Sequence, residues 1–229
     1  MRDDRDQPKP AAAPGSFRGL IIDWGGVMTG PVLDSVRAWL DAEHIDHDSY
    51  TAALRPWVRG AYDEAGDGNP IHALERGEWT TTEFERLLAS LLVRHDGESV
   101  APDGLLGRMF AATVPSEPMY EAVRALRAAG LRTCLLSNSW GMDGYPRDVL
   151  TELFDAIVIS AEVGMRKPEE RIFRHAAGLI GLAPGECVFI DDMEANVRVA
   201  EATGMRGVLH TEPVATVARL TELFGLPLG

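Results

Sequence analysis

The stretch LIIDWGGVMTG, Leu20 to Gly30, decides the fold. Leu20, Ile21 and Ile22 form an apolar run, β-branched at two positions, which reads as a short buried strand. Gly25 and Gly26 end that strand near Trp24, because paired glycines favour turns over strands. Asp23 is thereby left at the carboxyl end of a central strand, the edge of an open α/β sheet at which ligands bind. Taken alone, Asp23 fits a turn-capping role equally well, and the choice rests on residues downstream.

Composition narrows the function classes. The chain has 229 residues and a formal net charge of −13, from 35 acidic against 22 basic side chains. That balance argues against a nucleic-acid or anionic-membrane surface, where Lys and Arg would cluster. No apolar run approaches the roughly 18 residues of a membrane span. Residues 1–16, charged and then rich in Pro and Ala, read as a disordered tail rather than a secretory signal. Cys134 and Cys187 lie inside the apolar runs LRTCLL and CVFI, so they read as small core residues and predict a reducing, cytoplasmic setting. Only two lysines occur, Lys9 and Lys167.

Behind the first strand, residues 32–110 show helical rather than strand periodicity. SVRAWLDAEHI is amphipathic, and YTAALRPWVRGAY follows, interrupted by Pro56. In GEWTTTEFERLLASLLVR, Thr80 and Glu83 have capping-box spacing, and Phe84, Leu87, Leu88, Leu91 and Leu92 recur at helical intervals. LLGRMFAA predicts one more short helix. From Val114 onward, helices alternate with the strands LRTCLL, FDAIVIS, ECVFIDD and GVLH. This alternation predicts βαβ units. The fold class is therefore α/β, a Rossmann-like parallel sheet core with an inserted helical cap. The core is expected at 17–30 and 114–229, the cap at 31–113.

Polar clusters follow the strands: Asp23, then Ser137-Asn138, then Lys167 in GMRKPEE, then Asp191-Asp192. Ser137-Asn138 also suits an ordinary turn, and Lys167 a solvated position. Adjacent carboxylates directly behind a buried strand repel unless a cation or donors offset them. In a parallel sheet all four clusters share one rim. An isolated aspartate, hydroxyl and amide donors, a lysine and a carboxylate pair suit Mg²⁺-assisted phosphoryl transfer to a carboxylate nucleophile.

The ordered set IIDWGGV, LLSNS, GMRKPEERIF and FIDDMEANV resembles the haloacid dehalogenase-like hydrolase superfamily. The match is to the subfamily IA-like branch with a helical C1-type cap, and it covers about Phe17 to Leu223. LERGEWTTTEF is similar to a cap-helix junction of that branch. The resemblance implies a small phosphorylated substrate and Mg²⁺. It assigns Asp23 as nucleophile and metal ligand, and Ser137 and Asn138 as phosphoryl-binding groups. It makes Lys167 the bridge between nucleophile and phosphate, and Asp192 a direct metal ligand. Asp191 becomes a ligand or its immediate support, Asn196 a helper, and the Gly25 carbonyl a further ligand.

The chain departs from the family at Gly25, where its phosphatases usually carry a second aspartate as general acid and base. Such catalysis is worth about 10² to 10⁴ in rate. A feeble or regulatory family member is the alternative expectation, and a 2-haloacid dehalogenase the next. For the dehalogenase, Arg37, Arg55 or Arg59 would meet a carboxylate, but retention of Asp191-Asp192 speaks against it. The phosphonate-cleaving branch uses a cap lysine, and residues 30 to 115 contain none. Trp57, Arg59, Tyr62, Asp63, His72 and Trp79 are the pocket candidates in the cap, although core packing accounts for the tryptophans as well. His44, His47 and His72 lack the spacing of a metal site.

Overall fold

The computed structural model describes residues 17–60, 68–141 and 145–228; the expected tail at 1–16 and the candidates Tyr62 and Asp63 lie outside the described residues. Five strands, β1 (Gly19–Ile22), β2 (Arg132–Ser137), β3 (Ala156–Ile159), β4 (Cys187–Asp191) and β5 (Arg206–Leu209), form one sheet of order β3-β2-β1-β4-β5. All neighbours are parallel, and Ile22 stands level with Leu135 on one side and Ile190 on the other. The chain leaves β1 outward through β2 and β3, then returns to lay β4 against the other edge of β1. Strand order reverses at that point, which opens a crevice beyond the carboxyl ends of β1 and β4.

Both faces of the sheet are covered, so β1 and β4 are buried throughout. Leu20, Ile22, Leu135 and Ile190 pack under α6 (Glu117–Ala128), α7 (Arg147–Leu153) and α11 (Pro213–Phe224). Ile21, Cys134, Leu136 and Phe189 pack under α9 (Glu170–Leu179) and α10 (Glu194–Ala202). A short helix, α8 (Ser160–Val163), and a 3-10 turn, Pro184–Glu186, complete the connections. Both cysteines are free and buried.

The helices between β1 and α6 add no strand to the sheet among the described residues. They are α1 (Val32–Ala42), α2 (His47–Gly60), α3 (Pro70–Glu75), α4 (Thr81–Leu91) and α5 (Leu105–Met109). They enclose an apolar cluster of their own, including Trp39, Leu54, Ile71, Phe84, Leu88 and Leu105, and so form an inserted helical cap. The capping box is present: Thr80 Oγ1 accepts from the Glu83 amide at 3.2 Å, and the Glu83 carboxylate accepts from the Thr80 amide at 2.7 Å. The buried face of α4 is Phe84, Glu85, Leu88 and Ala89, whereas Leu91 in its last turn is exposed.

One expectation fails here. Pro56 does not break its helix but lies inside α2. Proline's fixed φ is itself helical, so the cost is one missing backbone donor and local crowding. Packing holds the helix across it: Leu54 is buried, and Trp57 sits 5.8 Å from the Phe84 ring.

Candidate active site

Asp23 emerges where β1 ends. Its amide donates to the Ile190 carbonyl at 3.0 Å, which ties it to β4 before the chain turns away. The turn winds around the Trp24 carbonyl, which accepts from the amides of Met28 and Thr29 at 2.9 and 3.2 Å. Gly26 is required within it on two counts. Its φ is +77°, and a Cβ there would lie 2.5 Å from Asp192 Oδ2. Gly25 is different: no left-handed φ holds it, and a Cβ would meet only the tip of Val32 at 3.3 Å.

The loop after β3 and α8 brings in Lys167, which is almost fully buried. Its ammonium lies 2.6 Å from Asp23 Oδ1 and 2.7 Å from Asp191 Oδ2. The backbone of Lys167 is clamped by Asn138: the amide of Lys167 donates to Asn138 Oδ1 at 2.8 Å, and Asn138 Nδ2 donates to the Lys167 carbonyl at 3.0 Å. Asp191 accepts from several further donors. Asn196 Nδ2 reaches both its oxygens at 3.0 and 3.1 Å, and the Met193 amide reaches Oδ1 at 2.8 Å. Asp192, the next residue, is exposed at the rim. Ser137 Oγ pairs with the Tyr145 hydroxyl at 2.9 Å, and Tyr145 packs against Trp24 at 5.9 Å.

Oxygens of Asp23, Asp191 and Asp192 lie within 4.8 Å of one another, the one such acid cluster among the described residues. Three carboxylates around one ammonium leave negative charge in surplus. Burial, reinforced by Asp191 and Asp192, outweighs the pull of Lys167 and raises Asp23 from the ordinary carboxylate value to about 7. Although Asp192 is exposed as a residue, desolvation of its carboxyl in the crowded rim, together with Asp191, raises it to about 6. Burial works to lower the Lys167 ammonium, but Asp191 and Asp23 overcome it and push it up.

The structure therefore brings Asp23, Ser137, Asn138, Lys167, Asp191, Asp192 and Asn196 to one rim. Sequence reasoning missed three participants. Tyr145 belongs to a loop with no periodicity, and burial pushes its hydroxyl up to about 12. Arg166 stands beside Lys167 in the quoted GMRKPEE, and its Nε reaches the Glu75 carboxylate of α3 at 2.5 Å. Glu75 itself lies in the quoted LERGEW, so both partners were in view without a reason to pair them.

Among the described residues, clefts lie between cap and core. One, of about 630 Å³, is lined by Trp24, Thr29, Phe110 and Tyr120 among others. The second, of about 490 Å³, is lined by Trp79, Thr81, Ser139 and Tyr145. Of the cap candidates, Trp79 reaches a cleft, whereas Trp57 packs on Phe84 and His72 is buried. Arg59's side chain is outside the described residues. Arg37 and Arg55 are exposed, and Arg37 pairs with Asp34, so neither offers the buried carboxylate anchor of the dehalogenase alternative. His47 pairs with Asp41 at the surface.

Residues 17–204 match the family described as hydrolase, haloacid dehalogenase-like hydrolase. Acyl-CoA dehydrogenase family member 10 of Mus musculus is 29% identical over 219 residues, covering 93% of this chain and 20% of its own. Bifunctional epoxide hydrolase 2 of Rattus norvegicus is 26% identical over 225 residues, covering 92% of this chain and 39% of its own. The chain thus spans less than half the length of these relatives. A HAD family enzyme from Bacteroides thetaiotaomicron, in complex with magnesium and inorganic phosphate, shares the fold. Its TM-score is 0.58 at 21% identity, over 85% of this chain and 94% of that one. No helix among the described residues is long and apolar enough to cross a membrane. By its matched span, its parallel sheet and its inserted cap, the chain belongs to the haloacid dehalogenase-like hydrolases.

Proposed function

We propose that the chain is a Mg²⁺-dependent phosphatase that cleaves a small phosphomonoester through an aspartyl phosphate at Asp23. The observation that carries this is the charge arrangement at the rim: Asp23, 2.6 Å from Lys167, sits among carboxylates whose surplus negative charge calls for a cation. The donor set is all oxygen, as Mg²⁺ prefers. Asp23, the exposed Asp192 and the Gly25 carbonyl would hold the ion. Asp191, engaged by Lys167, Asn196 and the Met193 amide, would serve chiefly to position Lys167 and its own neighbours. When bound, the cation lowers the cost of ionised carboxylates and offsets charge on the phosphoryl oxygens.

An Asp23 oxygen attacks phosphorus, and the bond to the leaving oxygen breaks with its electron pair on that oxygen. Water then attacks phosphorus, the bond to Asp23 breaks, and inorganic phosphate departs with the carboxylate restored. Ser137 and the Lys167 ammonium bind phosphoryl oxygens. The Asn138 side chain, engaged with the Lys167 backbone, acts through that residue. Gly25 supplies no proton, so the leaving oxygen takes its proton from solvent. The division into core at 17–30 and 114–229 and cap at 31–113 belongs to the same proposal, as does a cytoplasmic setting, in keeping with two free buried cysteines.

The test is a panel of phosphomonoesters assayed with Mg²⁺, with phosphorylated Asp23 trapped by mass spectrometry. Asp23→Asn should lower turnover on the order of 10⁴-fold or more, as loss of a nucleophile does. Turnover that survives this substitution, or none in the parent chain across the panel, would overturn the phosphatase.

A further inference from the structure

Arg166 and Lys167 are consecutive buried cations whose side chains go to different places. Lys167 reaches the rim, while Arg166 reaches into the cap. Its partner Glu75 is as deeply buried as it is, with side-chain exposures of 5% and 6%. A buried ion pair of this kind is weak evidence for stability, because desolvation cancels much of the attraction. Its geometry suggests another use. Burial raises the Glu75 carboxyl above its ordinary value, and Arg166 and the nearby Asn138 side chain work against it. Asn138 has two N–H donors, and it clamps the Lys167 backbone through both its amide nitrogen and its oxygen. One carboxylate from the cap therefore pairs with the residue next to the lysine, close to the side chain that anchors the lysine's backbone.

The docking of α3 at this place is close. Gly77, just past the helix end, has φ +71°, and a Cβ there would lie 2.7 Å from the Ala161 carbonyl of α8. A second pair, Arg76 Nε to Glu169 at 2.8 Å, crosses the same junction nearer the surface.

We propose that Glu75 is a positioning residue for Lys167: by holding Arg166, the residue next to the lysine, it fixes the loop from which the ammonium reaches Asp23 and Asp191. This rests on the role given to Lys167 above. With the cap docked, the lysine is set between its two carboxylates. With Glu75 removed, Arg166 loses its buried carboxylate, and the loop is less firmly held.

The composition makes this directly measurable, because Lys167 and Lys9 are the chain's only lysines. Reductive dimethylation of the native protein, without substrate or metal, is followed at both lysines by peptide mass spectrometry, with Lys9 as internal reference. In the parent protein Lys167 should label far more slowly than Lys9. Glu75→Gln should speed Lys167 labelling relative to Lys9 and lower kcat about 10- to 100-fold, as loss of an outer positioning partner does, with a smaller change in KM. Glu75→Asp, which keeps the charge on a shorter arm, should fall between, and serves if the glutamine variant does not fold. Arg76→Gln removes the outer pair and tests whether looser docking alone exposes the lysine. Unchanged Lys167 labelling in both Glu75 variants, or equal acceleration in Arg76→Gln, would overturn the proposal. Labelling needs no turnover, so failure of the phosphatase assignment would be seen separately.

Discussion

Asp23 and Glu85 are both buried carboxylates, 8% and 5% exposed, one on the sheet rim and one in the cap. Their surroundings differ in kind. Glu85 faces the start of α5, where its oxygens accept from the amides of Gly104 at 3.2 Å and Leu106 at 2.9 Å. Those amides have no partner within their own short helix, so the carboxylate settles a local debt of donors. Asp23 has Lys167 on one side but Asp191 and Asp192 on the other, and its proton is held up to about 7. The cap carboxylate is paired by backbone and maintains a fold. The rim carboxylate is crowded by its own kind, a conflict that folded proteins tolerate where chemistry requires it.

If the rim is built for chemistry, its missing part should be replaceable. Gly25 accepts a Cβ at the cost of a small shift of Val32, whereas Gly26 does not, with its left-handed φ and Asp192 at 2.5 Å. Gly25→Asp should therefore raise turnover of alkyl phosphates, by up to about 10²-fold given the usual worth of a general acid. The parent enzyme should favour substrates with acidic leaving groups, and the variant should flatten that dependence. Rates plotted against leaving-group pKa decide this. A flat plot with fast alkyl turnover in the parent protein would mean that another residue supplies the proton.

The contrast also explains what could be read before the fold was seen. Rim residues each follow an apolar run, so Asp23, Asn138 and Asp191 were placed by strand ends alone, and parallel pairing carried them to one edge. Lys167 sits in a loop after α8 and was legible through the family pattern around it. Tyr145 and the Glu75–Arg166 pair were not legible, because loop course and docking angle join them, and neither leaves a period in the sequence. Within the cap, α4 announced itself by its capping box. Helix α3, of six residues, is too short for periodicity, and the continuation of α2 through Pro56 depends on Trp57 packing against Phe84.

The crowding of the rim has a pH signature. Folded-state proton affinities at Asp23 and Asp192, about 7 and about 6, exceed the ordinary carboxylate value of 3.8. The folded metal-free protein thus holds protons that the unfolded chain has released, and its stability falls as pH rises from about 4 to about 7. A cation bound there must displace those protons. Mg²⁺ affinity should therefore strengthen about tenfold to hundredfold between pH 5.5 and 7.5, then level off, as measured by calorimetry. The thermal stabilisation that Mg²⁺ gives should grow over the same interval. Affinity independent of pH across this range would show that the rim carboxylates are not the ligands.

The smallest effect separates the two carboxylates most directly. Glu85→Gln replaces an acceptor by an amide whose N–H₂ must face one of two backbone donors, leaving Gly104 or Leu106 unsatisfied. Losing a buried acceptor costs about 1 to 3 kcal/mol, so denaturant unfolding should show a loss of that order, while Mg²⁺ affinity stays unchanged. Asp23→Asn removes a charge that burial and two neighbouring carboxylates disfavour, though Lys167 then keeps Asp191 alone as a close partner. At pH 8 without Mg²⁺ its stability should equal or exceed that of the parent protein, even as turnover is lost. Comparable destabilisation in both variants would mean that Asp23 is held as firmly by structure as Glu85, and that the crowded rim stores no conflict for a cation to relieve.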